Sequence, residues 1–64
     1  RVDRTLLRIG TWELVDRRDV PRAVIIDEAI ELAKRYDSDE SGAFVNGVLE
    51  RIATDLGRVE PDEA

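Results

Sequence analysis

A single proline decides how the first half of this chain can fold. Pro21 has no amide hydrogen to donate, and it drives Val20 out of the α region. Apolar residues recur at helical spacing on both sides of it. The stretch from Val2 to Tyr36 must therefore form two helices rather than one. A second break follows at "DSDES", residues 37–41, a run of residues that favour helix N-caps. Sustained β alternation is absent, so the expected fold class is all-α, with three helices.

On a wheel of about 100° per residue, the first helix is expected over 2–16. Val2, Leu6, Leu7, Ile9, Gly10 and Leu14 share one broad face, while Trp12 and Val15 fall on the far side. A helix apolar on two faces is usually buried between layers. Trp12 is then either an amphipathic surface residue or one that packs against something outside this chain. The second helix is expected over 25–36, with Asp27 a candidate N-cap and Val24 left in the connection. Ile25, Ile26, Ala29, Ile30, Leu32, Ala33 and Tyr36 form its apolar face. Lys34 and Arg35 at its end suit the helix dipole.

The third helix is expected over 39–56. Asp37 with Glu40 fits a capping box, and Ser38 with Ser41 fits one more weakly. Val45, Val48, Leu49, Ile52 and Leu56 make its stripe, and Gly57 is placed to end it as the C′ residue. Residues 1–57 then form one helical unit and 58–64 an acidic, solvated tail.

Two features of "DESGAFVNGVLERI", residues 39–52, do not fit a plain amphipathic helix. Gly47 in mid-helix costs about 1 kcal/mol relative to Ala. Close approach of a neighbouring backbone is the expected compensation, with Asn46 beside it either hydrogen-bonding to a neighbouring element or facing solvent. Phe44, the only phenylalanine, sits about 90° off the stripe, with Arg51 nearly above it two turns on. Phe44 either caps the edge of the core against Tyr36 or Leu32, or forms a stacking platform for a nucleic-acid base. Ser41 and Glu40 precede it at a helix N-terminus, where backbone N–H groups meet phosphates, although Glu40 opposes an anion.

Composition narrows the function. The 64 residues contain no Cys and no His, which removes disulfides, thiolate metal sites and the commonest general base. Ser38 and Ser41 have no base at hand. The acids at 37, 39 and 40 lack the glycine and terminal glutamate of a calcium loop. No catalysis, cofactor or metal is expected. No apolar run reaches the roughly 18 residues of a membrane span, so no membrane association is expected, and the expected compartment is the cytoplasm. The first residue, Arg1, is already in helical periodicity, which reads as a portion of a longer protein. Net charge is −5 and uneven, +2 over residues 1–22 and −7 over 23–64. An acidic chain is not a stand-alone nucleic-acid binder, which usually has a basic footprint.

"FVNGVLERI" (44–52), preceded by "IDEAIELAKRYDSDES" (26–41), resembles the C-terminal half of the NusB family of bacterial transcription antitermination factors. "DRTLLRIGTWEL" (3–14) and "DVP" (19–21) resemble the segments just before. The likeness runs from about Val2 to Ala53. It implies a three-helix C-terminal subdomain of a two-part helical bundle. It also implies binding of boxA RNA together with NusE, a small-subunit ribosomal protein, within the RNA polymerase antitermination complex that serves ribosomal RNA operons. By the same resemblance Phe44 contacts RNA, Glu40 lies in the RNA-contacting region, Tyr36 lies close by, and Asp3 lies at the NusE contact. Asp3→Lys is then expected to weaken NusE binding and leave RNA contacts intact.

Two departures matter. The family's arginine-rich segment belongs to the N-terminal half and has no counterpart here, and Ala43 stands where family members carry a basic residue. Phosphate contacts dominate affinity, so this portion alone is expected to bind RNA poorly. The other half would also cover the second apolar face at Trp12 and Val15. Two further readings follow from the resemblance. One is an accessory domain of a ribosomal RNA cytosine methyltransferase. The other is a structural module that self-associates, as a homodimer masking the RNA surface.

Overall fold

The computed structural model describes residues 2–58. Three helices follow one another: α1 (Val2–Asp16), α2 (Arg22–Tyr36) and α3 (Asp39–Asp55). Each packs against the other two, and α2 with α3 is the most extensive pairing. Leu6 and Leu14 of α1, Ile25, Ile26, Ala29 and Ala33 of α2, and Val45, Leu49 and Ala53 of α3 form the buried core.

The core is narrower than the sequence implies. On α1 only the i, i+4, i+8 line Leu6, Gly10 and Leu14 is buried. Ile9, expected on that face, is half exposed, because two partner helices can cover only one stripe of a third. Leu32 and Tyr36 of α2 and Leu56 beyond α3 are likewise exposed rather than buried. Two glycines lie at tight contacts between helices. An ideal Cβ on Gly10 would sit 2.9 Å from Leu49 Cδ1, and one on Gly42 would sit 2.8 Å from Lys34 Cγ. Gly10 thus lets α1 approach α3, and Gly42 lets α3 approach α2.

Gly47 plays no such part. Nothing lies within 4 Å of a Cβ built there, so its expected close contact with a neighbouring backbone is not made among the described residues. Asn46 is exposed, and its side chain makes no hydrogen bond to a neighbouring helix among the described residues.

The breaks fall near the expected places but by different chemistry. Pro21 is itself the N-cap of α2, with φ −57° and ψ 141°. Its carbonyl accepts from Val24 N at 3.1 Å and Ile25 N at 3.3 Å. Because proline's fixed φ and intact carbonyl suffice to start a helix, α2 begins at Arg22, three residues earlier than expected. Asp27 is therefore interior rather than a cap, and Val24 is helical and exposed. Ser38, not Asp37, caps α3: its Oγ accepts from Ser41 N at 3.0 Å. Asp37 instead ends α2, its N–H donating to Ala33 O.

Gly57 ends α3 as expected, in the left-handed region with φ +72°. Gly57 N donates to Thr54 O and Arg58 N to Ala53 O, the paired bonds of a Schellman turn. That turn sends Arg58 back into the fold rather than into a solvated tail. Its side chain is 4% exposed, with Nη1 donating to Leu14 O at 3.1 Å and Nη2 to Val20 O at 2.7 Å. Helix α1 has no basic residue in its own last turn, so Arg58 supplies the cation that its C-terminal carbonyls favour. In the α1–α2 connection the Arg17 guanidinium hydrogen-bonds Asp19 and holds that exposed carboxyl below its ordinary pKa. The rest of the expected tail, residues 59–64, lies outside the described residues.

Candidate nucleic-acid interface

The outward side of α3 carries the feature that packing does not explain. Glu40, Phe44, Gly47 and Arg51 recur at i, i+4, i+7 and i+11, so they form one line along the helix. All four are exposed. The inward side is occupied by Ser41, Gly42, Val45, Leu49 and Ala53. Phe44 is therefore turned away from the core, with 54% of its surface exposed.

The first turn of α3, just before Phe44, is held from two sides. Ser38 caps it from within, as above. The Ser41 hydroxyl donates to Oδ1 of Asp3, in the first turn of α1. Ser41 is only 5% exposed, and its hydroxyl finds its partner inside the protein, as a buried polar group must. Asp3 is half-buried. The Asp3 carboxylate thus helps to orient the first turn of α3.

Two other expected site residues are engaged in different ways. Tyr36 ends α2 and is exposed, but it lines a shallow depression with Val2, Thr5, Leu6 and Leu32, toward α1. Arg51 forms an exposed i, i+4 ion pair with Asp55, Nε to Oδ1 at 3.4 Å, so its charge is drawn along the helix away from Phe44. Trp12 is exposed beside Arg4, Leu7, Arg8 and Thr11. A second depression between α1 and α2 is lined by Ile9, Gly10 and Leu32, with Glu13 and Glu28 beside them. The apolar surface of α1 and α2 is thus left uncovered by the three-helix core.

Sequence reasoning missed Arg58, Gly10 and Gly42 as fold-setting residues. Only the mid-helix glycines carried a signal, and it pointed to Gly47. Among the described residues no group of three or more acids could hold a metal ion, and no helix is long and apolar enough to cross a membrane.

A capped α3 with an exposed aromatic, packed on two helices that keep uncovered apolar surface, makes a small all-helical unit. The chain belongs to the NusB family, whose family model matches residues 1–54. It is 73% identical over 62 residues to the transcription antitermination protein NusB of Sorangium cellulosum (strain So ce56), covering 97% of this chain and 44% of that protein. It is 60% identical over 52 residues to the protein of the same name from Thermotoga maritima, covering 81% of this chain and 37% of that one. With the Myxococcus xanthus protein of that name it shares 52% identity over 58 residues, 91% of this chain and 41% of that protein. The chain therefore spans less than half the length of these curated relatives. No solved structure matches it at a significant level.

Proposed function

We propose that this chain is the RNA-facing helical portion of a transcription antitermination factor that binds boxA RNA together with NusE. In that role it supports transcription of ribosomal RNA operons as part of the RNA polymerase antitermination complex. It acts by binding rather than by catalysis. One observation carries the reading: the chain's only phenylalanine is presented outward from the first turns of α3, in a chain closely similar to proteins named for antitermination. An exposed aromatic ring stacks on unpaired bases, and such stacking tolerates many sequences.

The α3 surface supplies a ring but little positive charge. Arg51 is paired with Asp55, and Asp39 and Glu40 occupy the first turn. Phosphate contacts must then come from outside these residues, from the N-terminal half that the relatives' greater length allows for. The same half is the natural cover for Trp12, Val15 and the α1–α2 depression. In this division Phe44 stacks on a base, Glu40 and Tyr36 flank the RNA path, and Asp3 faces NusE.

The test is the affinity of the intact protein for a boxA RNA oligonucleotide at fixed salt, before and after Phe44→Ala. Loss of one stacked base corresponds to about 1–3 kcal/mol. Because stacking releases no counterions, the dependence of log K on log salt should keep its slope. Unchanged affinity in a variant that remains folded would sink the stacking role.

A further inference from the structure

The pair Asn46-Gly47 is used neither by the core nor by the RNA contact proposed for Phe44. Asn46 is the only asparagine in the chain. It is exposed, and its side chain makes no hydrogen bond among the described residues. Gly47 follows it in mid-helix, where it costs about 1 kcal/mol relative to Ala. Nothing lies within 4 Å of a Cβ built on Gly47. Its backbone is ordinary helix, since the only positive φ among the described residues belongs to Gly57.

An asparagine followed by a glycine has a chemistry of its own. The backbone nitrogen of Gly47, once it loses its proton, attacks Cγ of Asn46. A bond forms between that nitrogen and Cγ, the bond from Cγ to Nδ2 breaks, and Nδ2 takes up a proton and leaves as ammonia. Water then opens the resulting succinimide ring at one of its two carbonyls. Opening at Cγ leaves aspartate. Opening at the main-chain carbonyl leaves isoaspartate, with the chain running through Cγ. A side chain on the following residue crowds the attack, and glycine has none.

The helix is the restraint. In a regular α-helix the Gly47 N–H is donated to the carbonyl four residues back, that of Ala43, and the nitrogen is held out of line with Cγ. The attack therefore waits for a local opening of α3. Openings are easiest where helix propensity is low and packing is absent, and Gly47 combines both.

We infer that Asn46 is a site of spontaneous deamidation, gated by local opening of α3 at Gly47. Each event puts a carboxylate in place of a neutral amide on an exposed face of α3, in a chain whose net charge is already −5. The isoaspartate product also lengthens the backbone between Phe44 and Arg51 and breaks the hydrogen-bond ladder there. The effect on RNA binding rests on the stacking role proposed for Phe44; the chemistry at Asn46 does not.

The experiment incubates the intact protein in mildly alkaline buffer, folded and in urea, alongside Gly47→Ala and Phe44→Ala. Mass spectrometry follows the peptide that contains Asn46, and enzymatic methylation reports isoaspartate. The folded protein should accumulate aspartate and isoaspartate at this position, more slowly than in urea, and Gly47→Ala should lose the product. Modified protein separated by ion exchange should bind a boxA RNA oligonucleotide more weakly than unmodified protein. Conversion in urea with none in the folded protein would overturn the inference, because the helix would then block the attack completely. Equal rates for Gly47→Ala and the unaltered sequence would overturn it as well. Full RNA affinity of the modified protein would overturn the consequence for binding. If Phe44→Ala leaves RNA affinity unchanged, the stacking role fails by itself, and the mass of the Asn46 peptide still decides the chemistry.

Discussion

The Ser41 hydroxyl donates to the Asp3 carboxylate, joining the first turn of α3 to the first turn of α1 across 38 residues of sequence. The bond holds the turn just before Phe44 against α1. Ser41→Ala removes the donor and leaves a half-buried carboxylate short of a partner. It should destabilise the intact protein by about 1–3 kcal/mol, read as a shift in the urea midpoint. A shift within error of zero would mean that the bond contributes nothing to the fold.

The same bond predicts different outcomes for two substitutions at Asp3. Asp3→Asn removes the charge but keeps an oxygen that can accept from Ser41, so it should weaken NusE binding and spare RNA binding. Asp3→Lys removes both charge and acceptor, so it should weaken both. Parallel titrations with NusE and with boxA RNA check this; equal RNA affinities for the two variants would break the proposed link.

Arg58 should prove to be a folding residue despite its place at the edge of an acidic stretch. Its guanidinium bridges Leu14 O and Val20 O, closing the C-terminal end of α1 and the approach to Pro21. Arg58→Ala should cost about 2–4 kcal/mol, since charged hydrogen bonds are lost and two carbonyls are left without this donor. Arg58→Lys should recover only part of that, because a single ammonium does not match the planar fork. Thermal or denaturant unfolding of both variants gives the answer, and a neutral Arg58→Ala would contradict the capping role.

Gly10 and Gly47 should respond oppositely to alanine. At Gly10 the new methyl would sit 2.9 Å from a Leu49 side chain that is itself fully buried. Overpacking should outweigh the gain in helix propensity, for a net loss of about 1 kcal/mol. At Gly47 the propensity gain stands alone. Melting temperatures that move in the same direction would show that the two environments differ less than the packing indicates.

What was legible in the sequence follows from range. The three helices were visible because apolar periodicity and breakers act locally, and Gly57 because a left-handed C′ residue is a local demand. The start of α2 was misplaced because Pro21 reads first as a breaker, although its carbonyl can open a helix. Ser41 read as a surface residue of a capping run, since its partner lies in another helix. Arg58 read as tail because only the Schellman turn reveals that it folds back. The glycines show the limit most plainly. Periodicity marked Gly47 as anomalous, but only the packing assigned close approach to Gly10 and Gly42 and left Gly47 facing open space. Phe44 was recognisable as misplaced from its angle alone, while RNA as its ligand came from resemblance to the family.

The most direct test of the central claim asks whether the ring of Phe44, rather than its apolar bulk, holds RNA. Affinity for a boxA RNA oligonucleotide should be measured for the intact protein carrying Phe44→Tyr or Phe44→Leu, at one salt concentration and with folding verified. Stacking predicts that Phe44→Tyr binds nearly as well as the unaltered protein and that Phe44→Leu loses about 1–3 kcal/mol. Equal affinities for the two variants would contradict it.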